Sequence, residues 1–321
     1  MLLSVVIPVY NSERTIAPLV ECLTVELAAY PFEIVLVNDG SRDASEQICD
    51  VLASTYEEVQ FISLRKNFGE FQAVMCGLNH IRGQYCVIID DDFQNPPQEI
   101  IKLLRTAQQG NYDVVYSQYE KKKHARFRNL GSWLVNRLTT WLLKKPSDLY
   151  LSSFKLLRRE VVQEITQYRG PYPYLDGLIF RVTRNVGRVV VQHEQRQEGG
   201  SNYTLKRLVS LFLTVIFGYS VQPLRLLTVL GMGLIGLSVL AGLAEIVGLL
   251  LTRHLPKTDH LIWLTVCLTG GIQLFGMGLL GEYVGRLFMM QSGLPQYIVK
   301  SEHFNYDRES ERVRKYVPSR A

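Results

Sequence analysis

Three consecutive carboxylates, Asp90-Asp91-Asp92, follow the apolar run Val87-Ile88-Ile89 and lead into Phe93-Gln94. A buried strand that runs into acids is how an α/β sheet presents carboxylates at its carboxyl edge, where ligands bind. Three like charges in a row repel, and a divalent cation is the simplest compensation. Hard oxygen donors suit Mg2+ or Mn2+. Such an ion takes only one or two protein carboxylates and fills its shell with phosphate oxygens and water, so the metal reading also implies a phosphorylated ligand. The competing reading is an acidic helix entry or solvated loop before Pro96-Pro97.

The elements that must position these acids alternate in type. Residues 3–10, 32–38, 59–63, 85–90 and 114–118 read as strands, and the periodic stretches 16–30, 44–56, 69–81 and 97–109 as helices. Strands alternating with helices of this length predict an α/β fold, a mostly parallel Rossmann-like sheet with helices on both faces. No GxGxxG follows the first strand, so the dinucleotide fingerprint is absent. Further on, 158–166 and 174–183 read as helices and 187–193 as a strand. A polar loop follows from His193 to Tyr203.

Composition points to a membrane. Hydrophobic residues make up 47% of the 321 residues and charged ones only 20%, apolar for a purely soluble chain, and the excess lies after Leu224. Residues 226–251 carry a single charge, Glu245, and 261–280 carry none. Each is long enough to cross a hydrocarbon core of about 30 Å at about 1.5 Å per residue. Joined by the short linker 252–260, they predict a two-helix hairpin with both outer ends on one side. The modest Lys/Arg bias puts the large domain in the cytoplasm. The net charge of +5 is uneven: residues 120–145 hold eight Lys/Arg against one acid. In that segment Leu130, Trp133, Leu134, Leu138, Trp141 and Leu142 recur at helical spacing among the basic residues. This is the composition of a helix lying in a membrane interface or, alternatively, of an ordinary amphipathic helix on the core. A second surface-lying helix is expected over 205–219. Five cysteines (22, 49, 76, 86, 267) without CxxC or metal spacing suit a reducing compartment, and no signal peptide is expected.

Three stretches together carry a family resemblance: Val-Ile-Pro8-Val-Tyr-Asn11, Val-Asn-Asp39-Gly-Ser41 and Asp90-Asp-Asp92-Phe-Gln94-Asn-Pro-Pro97. They are similar to the inverting GT-A glycosyltransferases of family 2. The order of catalytic domain, interface helices and membrane hairpin resembles the polyprenyl-phosphate branch, which includes dolichol-phosphate mannose synthase and the bacterial undecaprenyl-phosphate glucosyl and aminoarabinose transferases. The resemblance implies the following roles. Asp39 contacts the nucleoside, with Pro8 and Asn11 beside it. Asp90 is the first acid of the DxD motif, near ribose and metal, and Asp92 and Gln94 hold the Mg2+ or Mn2+ that bridges to the donor diphosphate. Arg196, followed by Ser201 and Tyr203, belongs to a loop that closes on the diphosphate. Arg126 and Arg128 receive the lipid phosphate, with Lys155 nearby. Members often carry an acid shortly before a Phe-Arg pair. Here the run is Asp148-Leu-Tyr-Leu-Ser-Ser-Phe-Lys155, with Ser152 and Ser153 in that neighbourhood and Asp148 the available acid.

The implied reaction moves one sugar from a nucleotide sugar, UDP-glucose first among candidates, to a polyprenyl phosphate. A phosphate monoester has a second pKa near ~6 and is already a nucleophile at neutral pH, so a strong general base is not required. The expected organisation is a donor and metal core over 1–125, an acceptor side over 126–203, a second interface helix over 204–223, the hairpin over 224–288 and a cytoplasmic tail over 289–321. The expected partners are nucleotide sugar, polyprenyl phosphate and membrane. Glycines at 231, 233, 236, 270 and 271 invite helix association into a homo-oligomer. Two rivals stand. A processive polysaccharide synthase would carry Gln-x-x-Arg-Trp, which is missing. A non-catalytic nucleotide-binding scaffold would not need Asp90, Asp92, Gln94 and Arg196 together. Nucleic acid is not an expected partner, because no aromatic stacking platform on a sheet is evident.

Overall fold

The computed structural model describes residues 1–119, 146, 149–170, 173–192 and 259–305, with positions 229, 231–233, 236, 240, 243 and 247. They belong to two units, Met1–Thr204 with Leu294–Ala321, and Leu205–Gly293. In the first unit the described elements run β1 (Leu3–Val9), α1 (Ile16–Glu26), β2 (Phe32–Asn38), α2 (Ser45–Thr55), β3 (Val59–Leu64), α3 (Glu70–Leu78), β4 (Tyr85–Ile88), α4 (Glu99–Gly110), β5 (Val114–Tyr119), β6 (Lys155–Arg158), α5 (Arg159–Ile165), α6 (Leu175–Val182), β7 (Val186–Val191) and β8 (Val299–His303).

The strands form one sheet in the order β7-β5-β6-β4-β1-β2-β3-β8. β1 pairs in parallel with β2 and β4, β2 with β3, and β5 with β7, whereas β6 and β8 run against their neighbours. Six strands thus point their carboxyl ends at one edge. The chain goes from β1 outward through β2 and β3, then crosses back to β4 on the other side of β1. That reversal opens a crevice beyond the carboxyl ends of β1 and β4, the place where open α/β sheets bind ligands.

Hydrophobic runs explain the burial. β1 through β3 are covered on both faces, so apolar side chains run through them without strict alternation, interrupted by the buried polar residues Ser4, Glu33, Asn38, Gln60 and Ser63. One face packs α1, α2 and α4; Ile100, Leu103, Leu104 and Ala107 recur at helical spacing and are all buried there. The other face receives α3, where a Cβ on Gly77 would come within 2.5 Å of Val6. At the amino edge, buried Glu33 accepts from Ser4 Oγ (2.6 Å), the Arg82 N–H (2.6 Å) and Arg82 Nε (2.7 Å), so its charge is fully answered.

Pro8 determines where the site begins. Val6 accepts from the Ile89 N–H. The next rung on that side would need an N–H from residue 8, which proline lacks. The β1–β4 ladder therefore stops at Val6↔Ile88, and the acids at 90–92 leave the sheet instead of extending it.

Two strands were not foreseen. β6 is only four residues, Lys-Leu-Leu-Arg, and β8 reads Val-Lys-Ser-Glu-His, too charged to stand out. β8 lies in the stretch expected to be a tail, yet it pairs with β3 and closes the sheet edge. β4 also stops two residues short of the expected Asp90. The expected interface helices over 126–145 and 205–219 lie outside the described residues. So does most of the span 226–251, whose described positions are helical. In the second unit, α7 (Asp259–Gln291) covers the expected span 261–280 as a helix, with some of its side chains outside the description. Among the described residues no helix is long and apolar enough to cross a membrane.

The β2–α2 turn passes against the loop after β3. Gly40 has φ +64°, and a Cβ there would lie 2.5 Å from the backbone N of Asn67 and the backbone C of Lys66. Gly40→Ala is expected to cost about 1–3 kcal/mol, read as a lower midpoint in denaturant unfolding.

Candidate active site

A cavity of about 240 Å3 opens at the switch point, lined by Tyr10, Asn11, Ser12, Glu13, Arg14, Thr15, Asp43, Asp91 and Asp92. Its floor is the end of β1 and its wall is the acidic turn after β4. The three carboxylates do not converge. Asp90 Oδ2 accepts from Ser153 Oγ at 2.6 Å. Asp91 Oδ2 accepts from Ser12 Oγ and, at 3.2 Å, from the Tyr10 N–H. Asp92 Oδ1 accepts from the Gln94 N–H at 3.1 Å, closing a tight turn on itself.

That turn is backbone-constrained. Phe93 has φ +59°, unusual for a bulky side chain, and its ring packs against the core cluster. Asn11, across the cleft, has φ +55°. Its N–H donates to Ser41 Oγ (3.1 Å), and its Oδ1 accepts from the Arg42 N–H (2.9 Å), so the turns after β1 and β2 are stitched together.

Desolvation pushes the Asp91 carboxyl up to about 6. The Ser12 and Tyr10 donors pull it down, and the charges of Asp90 and Asp92 push it further up. Asp91 is thus a strut between β4 and the β1–α1 turn. Asp92 lines the cleft. Among the described residues no three His, Cys, Asp or Glu side chains form a metal cage. Asp92 and Gln94 carry oxygens of the kind a hard divalent cation takes, and such an ion would draw its remaining ligands from a diphosphate and water. The pair does not fit a dedicated protein-only metal site.

The other expected residues lie as follows. Pro8 is in β1 beneath the cleft. Asp39 is buried one strand over, accepting from the N–H groups of Phe68 (2.7 Å) and Gly69 (2.9 Å) at the start of α3. Burial pushes its pKa up, and these two N–H groups work against the rise. Lys155, expected at the acceptor phosphate, is instead buried on the sheet face. Its ammonium pairs with Asp176 and sits 5.0 Å from the centre of the Tyr116 ring. Tyr116 Oη also donates to Asp176 at 2.7 Å, which ties β5, β6 and α6 into one packed unit. Arg126, Arg128, Asp148, Arg196, Ser201 and Tyr203 lie outside the described residues.

Several site residues were missed. Ser12 and Tyr10 brace Asp91, and Ser153 braces Asp90. A hydroxyl chain beside them runs from Ser117 Oγ to Ser152 Oγ (2.8 Å) to Tyr119 Oη (3.1 Å) to Asn95 Oδ1 (2.8 Å). Ser12 was within reach, because it directly follows the strand-end motif. Ser153 stood beside the expected acid, but its bond to Asp90 depends on the antiparallel β6, and Tyr119 reaches this edge only as the last residue of β5.

The chain matches the family model described as glycosyl transferase family 2 over residues 4–166. Undecaprenyl-phosphate 4-deoxy-4-formamido-L-arabinose transferase of Pseudomonas fluorescens (strain SBW25) is 34% identical over 303 residues, covering 92% of this chain and 88% of that one. The chain belongs to glycosyl transferase family 2. The protein of the same name from Serratia proteamaculans (strain 568) is 32% identical over 320 residues, covering 96% and 97% of the two chains. Among solved structures, glucosyl-3-phosphoglycerate synthase from Mycobacterium tuberculosis, in complex with Mn2+, uridine-diphosphate and phosphoglyceric acid, shares the fold. The TM-score is 0.52 at 21% identity, over 67% of this chain and 76% of that one. The carboxylate turn described above is therefore the candidate active site of a family 2 glycosyltransferase with a GT-A fold.

Because Lys155 and Asp176 are buried together, removing one charge strands the other. Asp176→Asn is expected to lower stability by about 3–5 kcal/mol, seen as a reduced unfolding midpoint. A changed acceptor KM with unchanged stability would instead return Lys155 to the acceptor site.

Proposed function

We propose that this glycosyltransferase moves a single sugar from a nucleotide sugar to a polyprenyl phosphate at the cytoplasmic face of a membrane, with inversion at the anomeric carbon. The observation that carries this reading is the reach of the resemblance. Relatives named for undecaprenyl phosphate align over 92% of the chain, well past residue 166 and through the second unit, so the likeness includes more than the donor-binding core.

The chemistry fits the residues. The acceptor dianion is its own nucleophile, so this chain's residues have to orient it, screen repulsion and assist the leaving group. Asn11 and Asp39, with Pro8 below, border the nucleoside side. Arg196, Ser201 and Tyr203 are assigned to the diphosphate, and Arg126 and Arg128 to the lipid phosphate, where paired guanidinium forks suit phosphate geometry. A Mg2+ or Mn2+ ion at Asp92 and Gln94, near Asp90, would neutralise charge developing on the departing nucleoside diphosphate. Asp148 is retained only as an auxiliary acid.

The membrane part of the reading rests on two supports. Ile262, Val266, Phe275, Met277, Val284, Leu287 and Phe288 on α7 are exposed, an arrangement that suits lipid or another helix. The chain after α7 rejoins the same sheet through β8, which favours an even number of crossings between 205 and 293. We assign the spans to 226–251 and 261–280. Helix association through their glycines would give a homo-oligomer, and the bacterial inner membrane is favoured over the endoplasmic reticulum.

For the donor, UDP-glucose is the sequence-based candidate, and the sugar in the relatives' name, 4-deoxy-4-formamido-L-arabinose, is its competitor. Purified protein would be incubated with undecaprenyl phosphate in vesicles, Mn2+ and each UDP- or GDP-linked sugar, and lipid products weighed by mass spectrometry. One sugar added per lipid is expected. Polymer, or no lipid product with any donor, overturns the reading. Asp92→Ala is expected to reduce kcat at least ~100-fold, the order seen when an electrostatic stabiliser is removed, with the fold intact by circular dichroism. The double variant Arg126→Ala with Arg128→Ala is expected to raise the acceptor KM more than the donor KM.

A further inference from the structure

The turn that carries Asp39 is anchored from behind by a relay of hydrogen bonds. Asn38, fully buried at the end of β2, accepts from the Ser41 N–H on its Oδ1 (3.1 Å) and donates through Nδ2 to Ser63 Oγ on β3 (3.0 Å). Ser63, also fully buried, gives its own proton to Glu46 Oε1 in the first turn of α2 (2.8 Å). Lys300 of β8 closes the far end, with its ammonium 2.8 and 3.0 Å from the two Glu46 oxygens. At the near end, Ser41 Oγ accepts from the Asn11 N–H beside the cleft. Buried polar groups joined in this way hold one geometry, where apolar side chains would only fill space.

β8 is shaped for its part. Its register on β3 pairs Ser63 with Ser301 and Leu64 with Val299, so Lys300 is the extra residue of a β-bulge. A bulge re-aims a side chain that strict alternation would send elsewhere. Lys300 and Ser63 hold the Glu46 carboxyl below the usual carboxylate range, against the desolvation that opposes its charge. The same return segment holds the other wall of the turn. The Ile298 carbonyl accepts from the Arg65 N–H at 2.9 Å. The loop that starts there gives Asp39 the N–H groups of Phe68 and Gly69 and lies against Gly40.

We infer that Ser63, Glu46 and Lys300 are positioning residues for the nucleotide, so that the chain returning after residue 293 contributes to donor affinity from behind the site. The inference rests on the nucleoside role proposed above for Asp39 and Asn11. None of the three residues lines the cleft. They act through Asn38 and the turn 39–41.

The test uses the full-length protein and the binding of Mn2+ with UDP, and of Mn2+ with GDP, followed by calorimetry. Ser63→Ala removes the middle of the relay and is expected to raise the Kd of whichever nucleotide the wild type binds by about threefold to tenfold, the size of one lost hydrogen bond. Lys300→Met keeps the stem, lies on the surface and does not threaten folding. It is expected to raise that Kd by about twofold to fivefold, the size of a half-exposed ion pair, and Lys300→Arg is expected to restore it. Asn305→Ala is the control. It loosens the same return segment at the other end of α2, where Asn305 Nδ2 donates to the carbonyls of Ala53 and Tyr56, and is expected to lower the unfolding midpoint with the nucleotide Kd unchanged. Wild-type affinity in either Ser63→Ala or Lys300→Met, or an equal loss in Asn305→Ala, overturns the inference and leaves the proposed function standing. A wild type that binds neither nucleotide overturns both.

Discussion

The structure turns on one electrostatic problem: three carboxylates in succession at the end of a buried strand. Charges this close in a half-buried setting cannot all face the same way without a heavy penalty. Each is turned to a donor from a different part of the chain. Asp90 goes to the entry of β6, Asp91 to the β1–α1 turn, and Asp92 back on its own backbone. The repulsion that would loosen the turn is thereby converted into cross-bracing. The pKa of Asp91, pushed up to about 6, marks where desolvation outweighs its two donors.

This bracing needs the acids to leave the sheet at the right residue. Pro8 ends the ladder, Phe93 takes a left-handed backbone with its ring anchored in the core, and Asn11 takes one opposite. Backbone conformations of this cost persist where surrounding contacts over-determine them, and they gather at ligand sites. The amino edge shows the opposite arrangement. There buried Glu33 accepts from Ser4 and from the half-buried Arg82.

The catalytic unit is also not contiguous in sequence. β8 returns after the second unit to pair with β3, and Gln296 donates to the carbonyls of Tyr168 (2.7 Å) and Gly170 (2.8 Å) between α5 and α6. Lys300 bonds Glu46 on α2 at 2.8 Å, and Asn305 caps carbonyls at the end of that helix. The segment 205–293 is thus flanked on both sides by chain that belongs to one folded body.

The sequence by itself determined the alternation of strands and helices, the placement of the acids at a strand end and the family to which those acids belong. Each is written locally, in runs such as Phe32–Asn38 or in the triplet itself, because hydrophobic periodicity and adjacent charges act over a few residues. The partners of Lys155, Asp39, Ser12, Ser153 and Tyr119 are visible only in the tertiary structure. β6 is four residues long and antiparallel, so nothing local announces that Ser153 meets Asp90 across 63 positions. The same pairing sets Lys155 opposite Tyr116 and turns its ammonium onto Asp176, and a buried ion pair of that kind depends on three elements packing together. A charged side chain reads alike in sequence whether it meets a ligand or a buried partner, and only the surrounding fold distinguishes the two.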